Sequence, residues 1–182
     1  MRLRNILLII SFIIIFSCKD KDVTEEKDQI KYILLNKSII NEGSINFGIF
    51  DLFKIELKKD SATGEKIINL FIPNTGYICN CREELLLSKD SLNVEAFLPD
   101  MLINKSDKSW GGEFSKKYHL DNFKGKGELY IGTREHSFPM GKSLYNYKWY
   151  RVYLSSNCDT FYLFDSAVNN TEGKSIRTGQ KK

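Results

Sequence analysis

From Ser44 the chain alternates. Ile45, Phe47, Ile49, Phe53, Ile55 and Leu57 share one side of a two-residue period, with Asp51 the sole intruder. Asn46, Gly48, Lys54, Glu56 and Lys58 take the other side. Successive side chains of an extended strand point to opposite faces, so the pattern predicts a half-buried strand. A turn cluster, Asp60-Ser61-Ala62-Thr63-Gly64-Glu65, and an apolar run over 66–72 closed by Pro73 extend the prediction to a hairpin. In the last third, residues 128–136, 144–154 and 160–164 read as strands rich in aromatic and β-branched side chains, with 137–143 a loop. On the second of these, Tyr145, Tyr147, Trp149, Arg151 and Tyr153 fall on one face.

The middle is less regular. Residues 82–88 read as a short helix with the adjacent Glu83 and Glu84 in its first turn, where carboxylates complement the helix dipole. Residues 90–104 mix strand and loop signals, and 106–112 read as a loop. With no internal repeat and no linker, one domain follows. The fold class is mainly β, with α+β as the alternative: a single antiparallel β-sandwich or barrel-like domain with minor helix.

The first eighteen residues carry a different signal. Arg2 and Arg4 precede an eleven-residue stretch, Ile6 to Phe16, that is apolar except for Ser11. A spanning helix needs about 20 apolar residues, whereas this length and its basic flank match a signal peptide. The first alanine of the chain is Ala62, so a small-residue cleavage site is missing. The stretch ends instead in Ile15-Phe16-Ser17-Cys18, which resembles the lipobox of bacterial lipoproteins. The resemblance covers about a tenth of the chain. It implies removal of residues 1–17 and acylation of Cys18 (a palmitate-type modification), which becomes the first mature residue and the link to the membrane. Two or more acyl chains anchor stably where one is marginal.

Residues 18–29 are charged, of mixed sign and nearly free of apolar groups, and read as a solvated tether. The Lys19-Asp20 start resembles the tags that route some lipoproteins to the outer face of the outer membrane; a plain tether is the other reading. The localisation expected is therefore the bacterial outer membrane, on its surface or its periplasmic face. The globular domain spans 30–168, and the polar stretch 169–182 is expected to fray. A second resemblance lies between Gly127 and Trp149, where Tyr130-Ile131-Gly132-Thr133-Arg134 and Tyr147-Lys148-Trp149 resemble the closing strands of some secreted β-sandwich domains. It implies a sandwich and no activity.

Charge narrows the partners. The net charge is +4 over 27 basic and 23 acidic residues, and losing Arg2 and Arg4 brings it to about +2. Neither value points to nucleic acid.

Candidate chemistry is sparse. With Cys18 carrying lipid, Cys79, Cys81 and Cys158 are left in an oxidising compartment. A bond directly across Cys79-Asn80-Cys81 would be strained, so a disulfide from one of that pair to Cys158 is expected. A soft-metal site completed by His119, His136, Met101 or Met140 is the rival use of the thiols. His119-Leu120-Asp121 puts a His–Asp pair on one strand face, the arrangement that orients a general base. No nucleophile elbow or zinc-protease motif accompanies it, and no cofactor motif is present. Gly141-Lys142-Ser143 and Gly173-Lys174-Ser175 lack the upstream glycine of a phosphate-binding loop. Tyr145, Tyr147, Trp149 and Tyr153, joined by Trp110 and Tyr118, form a possible ligand platform, since flat rings with a polar handle suit sugar faces and protein partners. Packing of the same rings in a core is the competing use.

The function expected is a lipid-anchored envelope protein whose domain binds a glycan, a protein or another envelope component. The alternatives are a periplasmic toxin-neutralising lipoprotein, a hydrolase using His119 and Asp121, and a thiol or copper-handling protein.

Overall fold

The computed structural model describes residues 29–48, 51–72, 81–89, 92–104, 109–111, 116–138 and 141–182, with the backbone alone of 81 and 82. Among the described residues thirteen strands form in chain order. They are β1 (Ile30–Ile40), β2 (Gly43–Phe47), β3 (Phe53–Lys59), β4 (Lys66–Phe71), β5 (Cys81–Leu86), β6 (Ala96–Phe97), β7 (Leu102–Ile103), β8 (Trp110–Gly111), β9 (Lys117–His119), β10 (Glu128–Ser137), β11 (Leu144–Leu154), β12 (Thr160–Asn169) and β13 (Ile176–Arg177). All named pairings are antiparallel. The seven-stranded sheet runs β1-β12-β11-β10-β5-β8 with β6 also on β10, a four-stranded sheet runs β2-β3-β4-β9, and β7 and β13 make a two-stranded ribbon.

The alternation that began at Ser44 belongs to two strands. Ile45 pairs with Ile55 and Phe47 with Phe53 across a hairpin, with Gly48 and Asp51 in the positive-φ region between them. Partners of equal parity meet on one face, so the period survives the reversal of the chain. Ile49 lies outside the described residues. The following hairpin forms as the turn cluster predicts, closed by Asp60 N–H to the Glu65 carbonyl and pinned by Ala62 N–H to Asp60 Oδ1 at 2.7 Å.

Two cores stack on the large sheet. Phe53, Ile55, Leu57 and Leu70 from the small sheet close against Leu85, Ile131, Val152 and Phe161 on one face. On the other face Tyr147, Trp149 and Ala167 are covered by Ile103 and Ile176 of the ribbon and by Phe97. The large sheet is thus a middle layer, buried on both sides. Gly132 on β10 allows this close approach: a Cβ there would meet Phe97 and Ile103 side-chain carbons at 3.1 Å.

Three expectations are corrected. Residues 82–88 are not a helix; they carry β5, and the longest helical element among the described residues is the 3₁₀ turn Asp121–Phe123. The stretch 169–182 does not fray. Asn169, Thr171, Ile176 and Thr178 are buried, β13 pairs with β7, and Thr178 Oγ1 donates to the Leu98 carbonyl at 2.6 Å. Polar side chains that cap backbone groups order a segment that composition alone marks as loose. The final long strand also extends past Phe164 to Asn169.

β1 has no counterpart in the pattern reading. Its pairing with β12 shifts between Leu34 and Lys37, where Asn36 takes φ 48°. A bulge there swaps the inward face from one parity to the other, which erases any single period.

Candidate functional site

Two residues that the sequence placed on a helix are buried charges on β5. Glu83 faces the inter-sheet core and Glu84 the opposite side, as neighbours on a strand must. Thr133 Oγ1 donates to Glu83 Oε1 at 2.8 Å, and Tyr150 OH donates to the same oxygen at 2.9 Å. Lys148 Nζ stands 3.4 Å from that oxygen. Complete burial and Glu83 push the Tyr150 phenol well above its usual range, so it stays a neutral donor. At the edge of the cluster, Gly48 keeps room for Glu83: a Cβ at its φ of +89° would lie 2.9 Å from Oε2. Glu135, paired with Glu83 in the β10–β5 register, has its carboxyl raised by burial and by Glu83, with Lys148 opposing.

The Glu135 shift has a consequence for stability. A carboxyl with a raised folded pKa binds its proton more tightly in the native state than in the unfolded chain. The stabilisation is full below the ordinary value of 4.5 and is lost as pH rises through the folded pKa. Glu135→Gln is expected to remove this fall. Urea midpoints measured at pH 4 and pH 7 should converge in the variant, and an unchanged pH slope would refute the assignment.

On the opposite face Glu84 holds Arg134, accepting from Nε at 2.6 Å and pairing with Nη2 at 2.6 Å. The guanidinium lies between rings, 4.6 Å from the Trp110 centroid and 4.5 Å from that of Tyr145. Burial lowers the Arg134 pKa while Tyr145 and Tyr147 raise it. His136 continues the stack, 4.3 Å from Tyr145 and 3.9 Å from Phe138. The result is a ring ladder along the sheet end near the start of β11.

The proposed platform residues divide. Tyr147 and Trp149 are 0% exposed, inside the second core, and Tyr118 is equally buried between the sheets. Tyr145 belongs to the ladder and Trp110, on β8, flanks it. Tyr153 lies at the other end of the same strand face, outside the second core. There it meets Tyr162 at 6.2 Å between centroids, and Tyr162 stacks on Phe164 at 5.8 Å. Leu34 (65% exposed), Ile40 (60%) and Tyr162 (37%) occupy this outward side of β1 and β12. Arg151 crosses the Phe164 ring at 4.9 Å while held by buried Asp165 at 2.7 Å and by Glu128 at 3.0 Å. Among the described residues this makes an exposed aromatic and aliphatic face with a fixed guanidinium. Leu34, Ile40 and Phe164 were missed in the sequence because the bulges that turn them outward leave no periodic trace.

The cysteine expectations are also revised. Cys158 is a free, buried thiol in the turn after β11, and burial raises its pKa above the usual range. Cys81 pairs through Ser137 with Leu144, at the start of β11. The ten-residue rise to Leu154 separates the two ends by about 30 Å, against a Cα separation of under about 7 Å for a disulfide. A Cys81–Cys158 bridge and a metal shared by them are therefore both ruled out by topology; Cys79, Met140 and Cys18 lie outside the described residues. His119 and Asp121 are both exposed, and Asp121 pairs with Lys124 at 2.8 Å. His136 is on β10, and Met101 is exposed beside the ribbon. A shallow cavity of about 240 Å³ between Leu86, Lys89, Glu95, Phe97 and Ser109 is smaller than usual ligand pockets.

The described residues thus define a mainly β protein with an antiparallel sandwich architecture and an uncovered end to its outer face. No family model matches the chain, and neither a curated protein nor a solved structure matches it.

Proposed function

We propose that the protein is a bacterial lipoprotein, held at the outer membrane by lipid on Cys18, whose domain binds a glycan, a protein or another envelope component without converting it. The observation that carries the binding role is the uncovered face of Leu34, Ile40, Tyr153, Tyr162 and Phe164. Exposed apolar side chains grouped on one sheet face are a surface of the kind used for interaction. Its position suits an anchored protein. The tether leads into β1 at Ile30, and Ile40 lies about 30 Å further along the strand at its rise per residue. A domain held from its Ile30 end presents the Ile40 end of this face away from the anchor.

Two measurements test the reading. Cys18→Ser is expected to move the protein from the membrane fraction to the soluble fraction, and digestion by added protease on intact cells then reports which side of the outer membrane it occupies. Retention of the variant with the membrane would overturn the lipid anchor. Leu34→Ser combined with Ile40→Ser should leave the unfolding midpoint nearly unchanged, since exposed substitutions cost within about 0.5 kcal/mol. The same variant should lose binding to whichever purified envelope glycan or envelope protein the wild type retains. Equal retention by both would refute this face as the site.

A further inference from the structure

Burying the Glu83–Lys148 pair is expensive. Two opposite charges withdrawn from water lose most of their hydration, and their attraction repays this only in part. Lys148 is 8% exposed and Glu83 0%. One reaction removes both charges at once: condensation of the amine with the carboxyl. The groups it needs are gathered here. Lys148 Nζ is the nucleophile, 3.4 Å from Glu83 Oε1. Thr133 and Tyr150 both donate to that oxygen, at 2.8 and 2.9 Å, where negative charge grows when an amine adds to the carboxyl carbon. Glu135 is the cross-strand neighbour of Glu83 and is close enough to Lys148 to feel its charge.

We propose that Lys148 and Glu83 form an intramolecular amide that ties β5 to β11 across β10. The ammonium of Lys148 first passes a proton to the Glu83 carboxylate, giving an amine and a carboxylic acid. Nζ adds to Cδ, and the Thr133 and Tyr150 hydroxyls hold the resulting oxyanion on Oε1. Glu135 accepts the second proton from Nζ and returns one to the departing hydroxyl, which leaves as water. The balance is one ammonium and one carboxylate converted to one amide and one water, with Glu135 unchanged and no oxidant or activating group required. Fixed geometry supplies the effective concentration that free amines and acids lack, and the dry surroundings oppose hydrolysis. Reach is adequate: β5 and β11 are two strand spacings apart, about 10 Å, which the two extended side chains span.

The test uses the whole protein extracted from its membrane, incubated at neutral pH, then reduced, alkylated and digested. Peptide mass spectrometry is expected to find the Glu83 and Lys148 peptides joined, one water lighter than their sum. Lys148→Arg should abolish the joined species, and Thr133→Val should slow its appearance. Recovery of both wild-type peptides unlinked and at full mass would overturn the proposal, as would a joined species that persists in Lys148→Arg. The wild type decides the matter alone, so a variant that fails to fold does not obscure it. The proposal is independent of what the outer face binds.

Discussion

Trp149→Ala is expected to destabilise the protein by about 3–5 kcal/mol, the usual cost of emptying a fully buried large aromatic site. Trp149 is packed edge-on against Tyr130 at 5.4 Å between centroids and tilted against Tyr32 at 6.4 Å. Ala167 lies opposite it in the β11–β12 register. A cavity at the middle of this layer has rigid sheet on one side and the short ribbon on the other, so the site can collapse only by moving the ribbon. Since domains of this size are stable by roughly 5–15 kcal/mol, the variant should show a large fall in its denaturant midpoint. An unchanged midpoint, with altered ligand binding, would mean that the indole is reachable after all and that the ribbon does not seal it.

Ending the chain after Asn169 is expected to act on the same core from outside. The removed segment contributes Ile176, which is fully buried and whose loss alone corresponds to about 2–5 kcal/mol. It also carries Lys181, whose Nζ is 3.2 Å from Tyr32 OH, 3.7 Å from Asp165 Oδ2 and 4.5 Å from the Tyr32 ring centroid. β7 would lose its only named pairing partner, and the Tyr147–Trp149 surface would face water. Hydrogen exchange should show the outer face of β11 losing protection before the inter-sheet core does. A truncated chain with an unchanged midpoint would refute the ribbon's structural role.

Both effects come from a segment whose composition argues against structure, which shows where reading the chain succeeds and where it stops. β10 and β11 were legible because extended backbone and dense aromatic content agree along their whole length. The β2–β3 alternation was legible as strand but not as hairpin, since register parity hides the reversal. β5 was read as a helix because Arg82, Glu83, Glu84 and the three leucines show no alternation. A middle-layer strand needs none: its charges are neutralised by partners on β10 and β11, far away in sequence. The same blindness applies to the site, where Glu83, Thr133, Lys148 and Tyr150 meet only through strand pairing.

Local chemistry therefore settled the strands β2–β4 and β10–β12, the turn at Asp60, the mainly β class and the even balance of charge. These depend on backbone preference and on neighbours within a few residues. Contacts between distant segments settled the rest: which face of β11 is sealed, that Tyr147 and Trp149 are core while Tyr153 is not, that Cys158 is a free thiol, and that Glu83 lies beside Lys148. Burial is a property of what covers a residue, and here the cover comes from chain that is distant in sequence.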